Sequence, residues 1–351
     1  MKSRICRLHA KGDIRIEEID VAPPGPGEVL LAMGAGGICG SDLHYFQDGG
    51  FGPIRVREPI ILGHEVAGTV RALGEGVDGL AVGDRVAVNP SRPCNTCTYC
   101  HQGLQQHCLN MRFFGSALRF PHEQGGFRDL MVADVGQCVR LDNPDVSLAE
   151  AACAEPLAVC LHALNRAGSS AGNLAGKRVL VTGAGPIGAL CVAALRHAGA
   201  AQIVVTDLED FPLDIVRRMG ATETFNMRTD VARFDTFTAD KGHFDIAFEC
   251  SAAPSAIRSA IMATRPQGTV VVVGVAGDVP VPLNLVVGKE IAFIGTHRFT
   301  SEYAQAVRMI DGRNIDVRPI ITASYDVGDA PAAFEAARDR RTAIKVQLSF
   351  G

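Results

Sequence analysis

The stretch that most restricts how this chain can fold lies just past its middle. Lys177-Arg178-Val179-Leu180-Val181-Thr182 reads as a buried strand and runs straight into Gly183-Ala184-Gly185-Pro186-Ile187-Gly188. A G-x-G-x-x-G run alone carries little weight. Here it opens an apolar helix over about residues 186–198, and a second strand, Gln202-Ile203-Val204-Val205-Thr206, ends in Asp207. Strand, glycine turn, helix, strand and terminal acid together make a dinucleotide-binding βαβ unit. The glycines permit the tight turn and the approach of a pyrophosphate, and the acid suits a ribose diol. No Arg or Lys stands beside Asp207 in Leu208-Glu209-Asp210, which favours NAD over NADP. Strands at 244–250, 268–274 and 291–295 alternate with helical segments, so the expected fold is α/β with a doubly wound parallel sheet.

At 351 residues the chain is too long for one typical core, and a second domain is expected. The front of the chain supplies it. Ile14, Ile16 and Ile19 alternate with charge, Val29-Leu30-Leu31-Ala32-Met33 is a buried run, and Pro23-Pro24-Gly25-Pro26-Gly27 is a turn between them. Val66-Ala67-Gly68-Thr69-Val70 and Arg85-Val86-Ala87-Val88 continue the pattern, and short strands with glycine turns argue for a compact β-barrel. The pattern turns helical over about 146–167, with Ser147 and Glu150 as a capped start and a loop at 168–172. A tail helix near 301–311 and a last strand over 343–348 lead back to the first domain.

Net charge is −4 with no basic stripe, so nucleic acid is not an expected partner. The most membrane-like run, 179–195, is broken by glycines and Pro186 and reads as a strand entering a helix, so no membrane partner is expected either. Eleven cysteines behind Met1-Lys2-Ser3-Arg4, with no secretory signal, indicate a reducing, cytoplasmic setting with thiolates used as metal ligands.

Two groups of residues carry metal chemistry. Gly36-Gly37-Ile38-Cys39-Gly40-Ser41-Asp42-Leu43-His44-Tyr45 gathers a thiol, a hydroxyl, a carboxylate and an imidazole, and Gly63-His64-Glu65 adds two more donors. Cys and His suit zinc, and a catalytic zinc keeps one position open. Cys94, Cys97, Cys100 and Cys108 are spaced C-x2-C-x2-C-x7-C. Four thiolates complete a tetrahedral zinc and leave no open position, so this site is expected to be structural. A [4Fe–4S] cluster shares such spacing, and disulfides are the remaining alternative. Glu155, a carboxylate in an apolar run, needs a partner: a metal, or an Arg or Lys. The aromatic loop from Met111 to Phe127, with Arg112, Phe114 and Arg119, reads as pocket wall.

In this order the motifs resemble the zinc-dependent medium-chain dehydrogenase/reductase family over essentially the whole chain. Glu155-Pro156-Leu157 points to its polyol dehydrogenase branch, and Asn110 to Ala117, Arg298 to Glu302 and Lys345 to Leu348 point to the sugar-acid members of that branch. The resemblance implies a GroES-like β-barrel catalytic domain from residues 1–150 and 290–351, with a zinc lobe at about 90–110. A Rossmann domain, residues 151–289, is inserted between. It implies NAD and two zinc ions per chain, and a homotetramer. Cys39 and His64 match zinc ligands, Glu65 and Glu155 compete for the third place, and Ser41 and His44 match a proton relay. Gly183, Gly185, Pro186, Ile187, Gly188, Asp207, Val273, Gly274, Val275, His297 and Arg298 match the cofactor site. Tyr45, Arg112, Phe114, Arg119, Arg298 and Phe299 are the implied substrate residues, with Arg112 favoured for a substrate carboxylate. Phe299 stands where sorbitol-type members have Tyr, and Pro212 where an Arg often meets the ribose, so weaker NAD binding is expected. The implied activity is hydride transfer between NAD and a C5 hydroxyl of a sugar acid. A neutral polyol dehydrogenase and a non-enzymatic NAD-binding module are the alternatives.

Overall fold

The computed structural model describes residues 1–275 and 277–351. Its front half is a set of antiparallel strands closed around one apolar core. The strand Glu28–Gly37 is the axis of the larger sheet, because seven of its ten residues are buried and both of its edges are paired. Glu65–Leu73 lies on one side, with Arg85–Val88 and Cys138–Arg140 beyond it. On the other side Leu130–Asp134 pairs one end and Lys345–Ser349 the other, and Ile321–Asp326 runs parallel to the latter. Lys2–Ala10 forms a second, smaller sheet with Asp13–Asp20 and Ile60–Ile61. The last strand is therefore built into the first sheet, in register Gln347 to Gly37.

The second half is a six-stranded parallel sheet ordered Glu223–Asn226, Gln202–Asp207, Arg178–Thr182, Phe244–Glu249, Thr264–Val272, Ala292–Gly295. Its central strands are continuous apolar runs because helices cover both faces. The helix Pro186–His197 begins with Pro at its first turn and Gly185 as N-cap, and it is buried along most of its length.

Three expectations change. The strand Ala292–Gly295 hydrogen-bonds to Thr264–Val272 and belongs to the parallel sheet, so the chain does not return to the barrel at residue 290. The helix expected over 146–167 is two helices, Leu148–Ala152 and Ala154–Ala171, meeting at Cys153. Pro156 has no N–H to donate back to Ala152, so a single helix cannot run through. The Ser147–Glu150 capping box starts the first helix as expected. Residues 168–171, expected as loop, are the last turn of the second helix, where Ser169 donates to the Asn165 carbonyl at 3.0 Å. No helix among the described residues is long and apolar enough to cross a membrane.

Candidate active site and metal centres

The four-cysteine segment folds on itself. Cys97 caps the short helix Thr98–His101, and a 3-10 turn, Gln105–His107, carries the chain to Cys108. The sulfurs converge: Cys97 to Cys100 is 3.5 Å, Cys94 to Cys108 is 3.5 Å and Cys97 to Cys108 is 4.0 Å. A tetrahedron of Zn–S bonds of about 2.3 Å has edges of about 3.8 Å, so the donors fit zinc closely. Backbone amides of Cys94 and Asn110 donate to the Cys108 sulfur at 3.2 and 3.3 Å. The hydroxyl and backbone of Thr96 lower the Cys94 thiol to about 5. Both effects favour thiolates, the form a metal binds.

The second cluster is assembled from separate elements. Cys39 sits at the N-terminus of the helix Gly40–Asp48, and His64 and Glu65 lead into the strand Glu65–Leu73. Their ligand atoms lie within 4.8 Å of one another. Gly37 makes room for this, since a Cβ there would collide with the Glu65 carboxylate. Asp42, fully buried, ties the donors together: it accepts from the Cys39 amide at 3.0 Å and the Gly63 amide at 3.4 Å, and lies 3.7 Å from His64 Nδ1. Lys345, 2 % exposed, donates to both oxygens of Glu65 at 2.8 and 2.7 Å and to the Ile38 carbonyl at 3.2 Å. Burial works against a charged His64, yet Asp42, Cys39 and Glu155 outweigh it and raise its pKa well above the ordinary imidazole value. A divalent cation there would neutralise the same charges, and this donor set fits zinc with an open position.

Glu155 lies in the first turn of the helix Ala154–Ala171 and is 6 % exposed. It has no hydrogen-bond or ion-pair partner among the described residues. Burial pushes its pKa up to about 7, with His64 opposing and Glu65 adding to the rise. The break at Cys153 brings this carboxylate to the metal cluster. It stands outside the Cys39–His64–Glu65 group itself.

The substrate residues divide. Arg298, in a left-handed conformation with φ 52, lies 4.3 Å above the Phe113 ring, and Phe113 in turn meets His64 at 5.6 Å. Burial lowers the Arg298 pKa while Glu155 and Tyr45 work to raise it. Tyr45 is buried, and its hydroxyl accepts from the Ala117 amide at 3.3 Å. Arg112 does not face the cluster: it pairs with Glu123 at 2.6 Å and is half-exposed. In the short strand Arg112–Phe113 neighbouring side chains point to opposite faces, and the aromatic takes the inner one. Arg119 is also outside, donating to the Asn110 carbonyl at 2.9 Å. Phe114 packs against the barrel core, and Phe299 is buried against Tyr303 at 5.5 Å. Ser41 and His44 are three residues apart on one helix. His44 is exposed and bonded to Asp48 at 3.2 Å.

At the parallel sheet, Gly183 has φ +89, and a Cβ on Gly188 would overlap the Gly183 carbonyl. Both positions require glycine. The Asp207 carboxylate accepts from the Ala184 amide at 2.6 Å and from the Leu208 and Glu209 amides at 2.7 and 3.0 Å. Turn and acid are thereby locked into one rim, open as a dinucleotide cradle beside Gly185 and the first turn of Pro186, Ile187 and Gly188. Glu249, fully buried, holds the neighbouring loop by accepting from the Ser251 and Ala252 amides. Val273 and Gly274 donate to its carbonyl, and Val275 is exposed. His297 stacks on His107 at 5.8 Å. The expectation that no cation is near Asp207 is corrected. Arg228 donates to the Leu208 carbonyl and to Glu209 at 3.0 and 2.8 Å, and Arg340 reaches the same rim from the barrel. Sequence neighbours of Asp207 could not reveal either.

Glu249 and Lys345 are site residues that reading the chain did not single out, and Asp42 and Phe113 lay within its motifs without being given a role of their own. A charge in a buried strand was the available signal for Lys345, since such a group needs a partner.

A barrel bearing an open donor set, joined to a parallel sheet with a glycine-rich dinucleotide turn, defines a class: the two-domain, zinc-type nicotinamide dehydrogenases. Comparison with known proteins agrees. Residues 25–143 match the alcohol dehydrogenase GroES-like domain, and residues 186–312 match the zinc-binding dehydrogenase family. The chain is 39% identical over 354 residues to L-idonate 5-dehydrogenase (NAD(P)(+)) of Escherichia coli (strain K12), spanning 100% of this chain and 99% of that protein. The crystal structure of L-idonate 5-dehydrogenase from E. coli K-12 superposes with a TM-score of 0.93 at 39% identity, covering 100% and 99% of the two chains. Sorbitol dehydrogenase of Gallus gallus is 35% identical over 348 residues, 97% of this chain and 94% of that one. The chain belongs to the zinc-dependent medium-chain dehydrogenase/reductase family, in its polyol and sugar-acid branch.

Proposed function

We propose that this enzyme oxidises the C5 hydroxyl of a sugar acid, L-idonate to 5-keto-D-gluconate, with NAD as hydride acceptor. Full-length likeness to L-idonate 5-dehydrogenase supports the substrate class. The observation that carries it is Arg298, a cation held 4.3 Å over the Phe113 ring, which itself meets the metal-cluster residue His64 at 5.6 Å. A planar guanidinium is the preferred partner for a substrate carboxylate, which would otherwise be left unpaired in a partly closed pocket.

In this reading Cys39, His64 and Glu65 would hold the catalytic zinc, with the Glu155 carboxylate beside them, and the four cysteines would hold the structural one. Bound zinc supplies Lewis acidity at the substrate hydroxyl. Ser41 would take the hydroxyl proton while passing its own on, through the ribose hydroxyls of the dinucleotide, to His44, which is exposed and releases it to solvent. The Gly183–Gly188 turn would hold the pyrophosphate and Asp207 the adenosine ribose of the dinucleotide, which would supply the acceptor for the C5 hydrogen and its electron pair. The negative Asp207 favours NAD over a 2′-phosphate. Exposed Val275, Leu283 and Val287 (61%, 65% and 76%) lie toward the free edge at Ala292–Gly295 and support a homo-oligomer, taken as a tetramer. Eleven free cysteines support a cytoplasmic location.

A screen of NAD reduction over aldonates and polyols, run on wild type and Arg298→Met, tests the substrate. The aldonate rate constant kcat/KM should fall roughly 10- to 150-fold in the variant while residual polyol activity changes little. Wild-type preference for sorbitol or xylitol, to which the 35% likeness to a sorbitol dehydrogenase lends weight, would replace the sugar-acid reading with the neutral-polyol one.

A further inference from the structure

One cation in the cleft has no role in what precedes. Arg340 follows the helix Ala330–Arg338 and precedes the barrel strand Lys345–Ser349. Its neighbours are occupied: Arg341 forks onto Asp339 at 2.9 and 3.1 Å, and Arg338 pairs with Glu335 at 2.6 Å. Arg340 is exposed and, among the described residues, has no ion pair and no hydrogen bond. Yet it is aimed. A Cβ built on Gly185, in the other domain, would lie 3.6 Å from its Nη1 and 3.9 Å from its Cζ. Gly185 is the N-cap of the helix Pro186–His197 and has no side chain to satisfy the first amides of that helix. Of the groups around Arg340, Asp207 on the parallel-sheet side and Cys39 on the barrel side both favour its charge, against the cost of surrounding protein. The cation therefore stands between the ribose end and the metal end of the cleft, where the middle of a dinucleotide must pass.

We propose that Arg340 is a cofactor-binding residue: its guanidinium pairs with the pyrophosphate of the dinucleotide at the N-terminus of the helix Pro186–His197. The contact crosses from barrel to parallel sheet, so bound cofactor ties the two domains together through one side chain. The helix amides and the guanidinium would flank the diphosphate from opposite sides, and an Arg fork matches phosphate oxygens in pairs. This rests on the nicotinamide-dinucleotide reading of the cleft.

The test is equilibrium binding followed by ligand fluorescence or calorimetry, with no turnover. Wild type, Arg340→Ala and Arg340→Lys are titrated with NADH, NADPH, ADP-ribose and adenosine. Arg340→Ala should weaken NADH, NADPH and ADP-ribose alike, by roughly ten- to a hundredfold. Arg340→Lys should recover part of the loss, and adenosine, which has no phosphate, should be unaffected. The thermal midpoint of the free protein should not move, because Arg340 has no partner to lose. Unchanged binding in Arg340→Ala overturns the proposal, as does a loss confined to NADPH, which would assign the cation to a 2′-phosphate. A wild type that binds no dinucleotide would instead overturn the cofactor reading beneath it.

Discussion

The two metal clusters are built in opposite ways. The cysteines of the first all come from residues 94–108, and their sulfurs close to 3.5–4.0 Å with support from that stretch and from Asn110 just beyond it. The second takes Cys39 from a helix terminus and His64 and Glu65 from a strand start, and then needs Asp42, Lys345 and Glu155 around them. Lys345 is 280 positions from the Glu65 it holds. Four thiolates saturate a tetrahedral ion, whereas three donors with a further carboxylate, Glu155, standing off leave room for a ligand. The lesson is that a clamp can be local because it only has to hold a loop. A reacting centre has to be reached from several elements, because substrate, metal and cofactor arrive from different sides.

Substitutions can break this contrast or sharpen it. The largest effect is expected from Cys39→Ser. Losing the open site should cut turnover by on the order of a thousandfold or more while the four-cysteine metal stays bound. Metal analysis paired with a rate assay checks this, and full turnover with that site empty would reverse the two assignments. Cys97→Ser should do the converse. We expect one metal to be lost and the thermal midpoint to drop by roughly 5–10 °C, with the Cys39 site still loaded. A variant that melts like wild type would show that the lobe needs no metal.

Asp42→Asn is the sharper instrument for the open site, because it removes a buried charge and keeps the shape. Competition with a chelator should show zinc held about 10- to 100-fold more weakly there, and unchanged at the cysteine lobe. The smallest effect is expected at Glu302, beside the helix that bears Glu155. Burial works against its ionised form, but bonds from His162 at 3.0 Å, the Thr300 amide at 2.8 Å and Asn165 at 2.9 Å outweigh this and hold its pKa below the usual carboxylate range. A lowered folded pKa adds stability that is present above the unfolded value of about 4.3 and is lost as pH falls through the folded one. Glu302→Gln should therefore cost about 1–2 kcal/mol at neutral pH. Its gap to wild type should narrow on acidification from about pH 5 to about pH 3. Urea titrations across that range decide it, and a gap that widens on acidification would contradict the assignment.

Much of this was readable along the chain, and the exceptions are instructive. The βαβ unit and the Cys94–Cys108 loop announce themselves, since every part of each is close in sequence. The helix beginning at Ser147 was legible from its capping box, but its interruption was not, although Pro156 was in view. What decided it was the missing N–H opposite Ala152. Arg112 looked like the substrate's partner because it sits in the aromatic loop. Strand alternation turned it outward to Glu123 and left Arg298 held over Phe113, whose ring meets His64 of the metal cluster.

The amino-acid sequence by itself determined the local units of this protein: the glycine turn and its acid, the four-thiolate loop, and strands whose apolar runs mark a sheet covered on both faces. Covalent spacing and side-chain periodicity suffice for these, because the atoms concerned are joined by short chain. Tertiary structure alone decided which distant charges meet. Lys345 finds Glu65 because the last strand pairs with Glu28–Gly37, and Arg340 finds Gly185 because barrel and parallel sheet face each other across a cleft. A buried or cleft-bound charge takes the partner that packing brings within a few ångströms, and nothing in the residues beside it specifies which one that is.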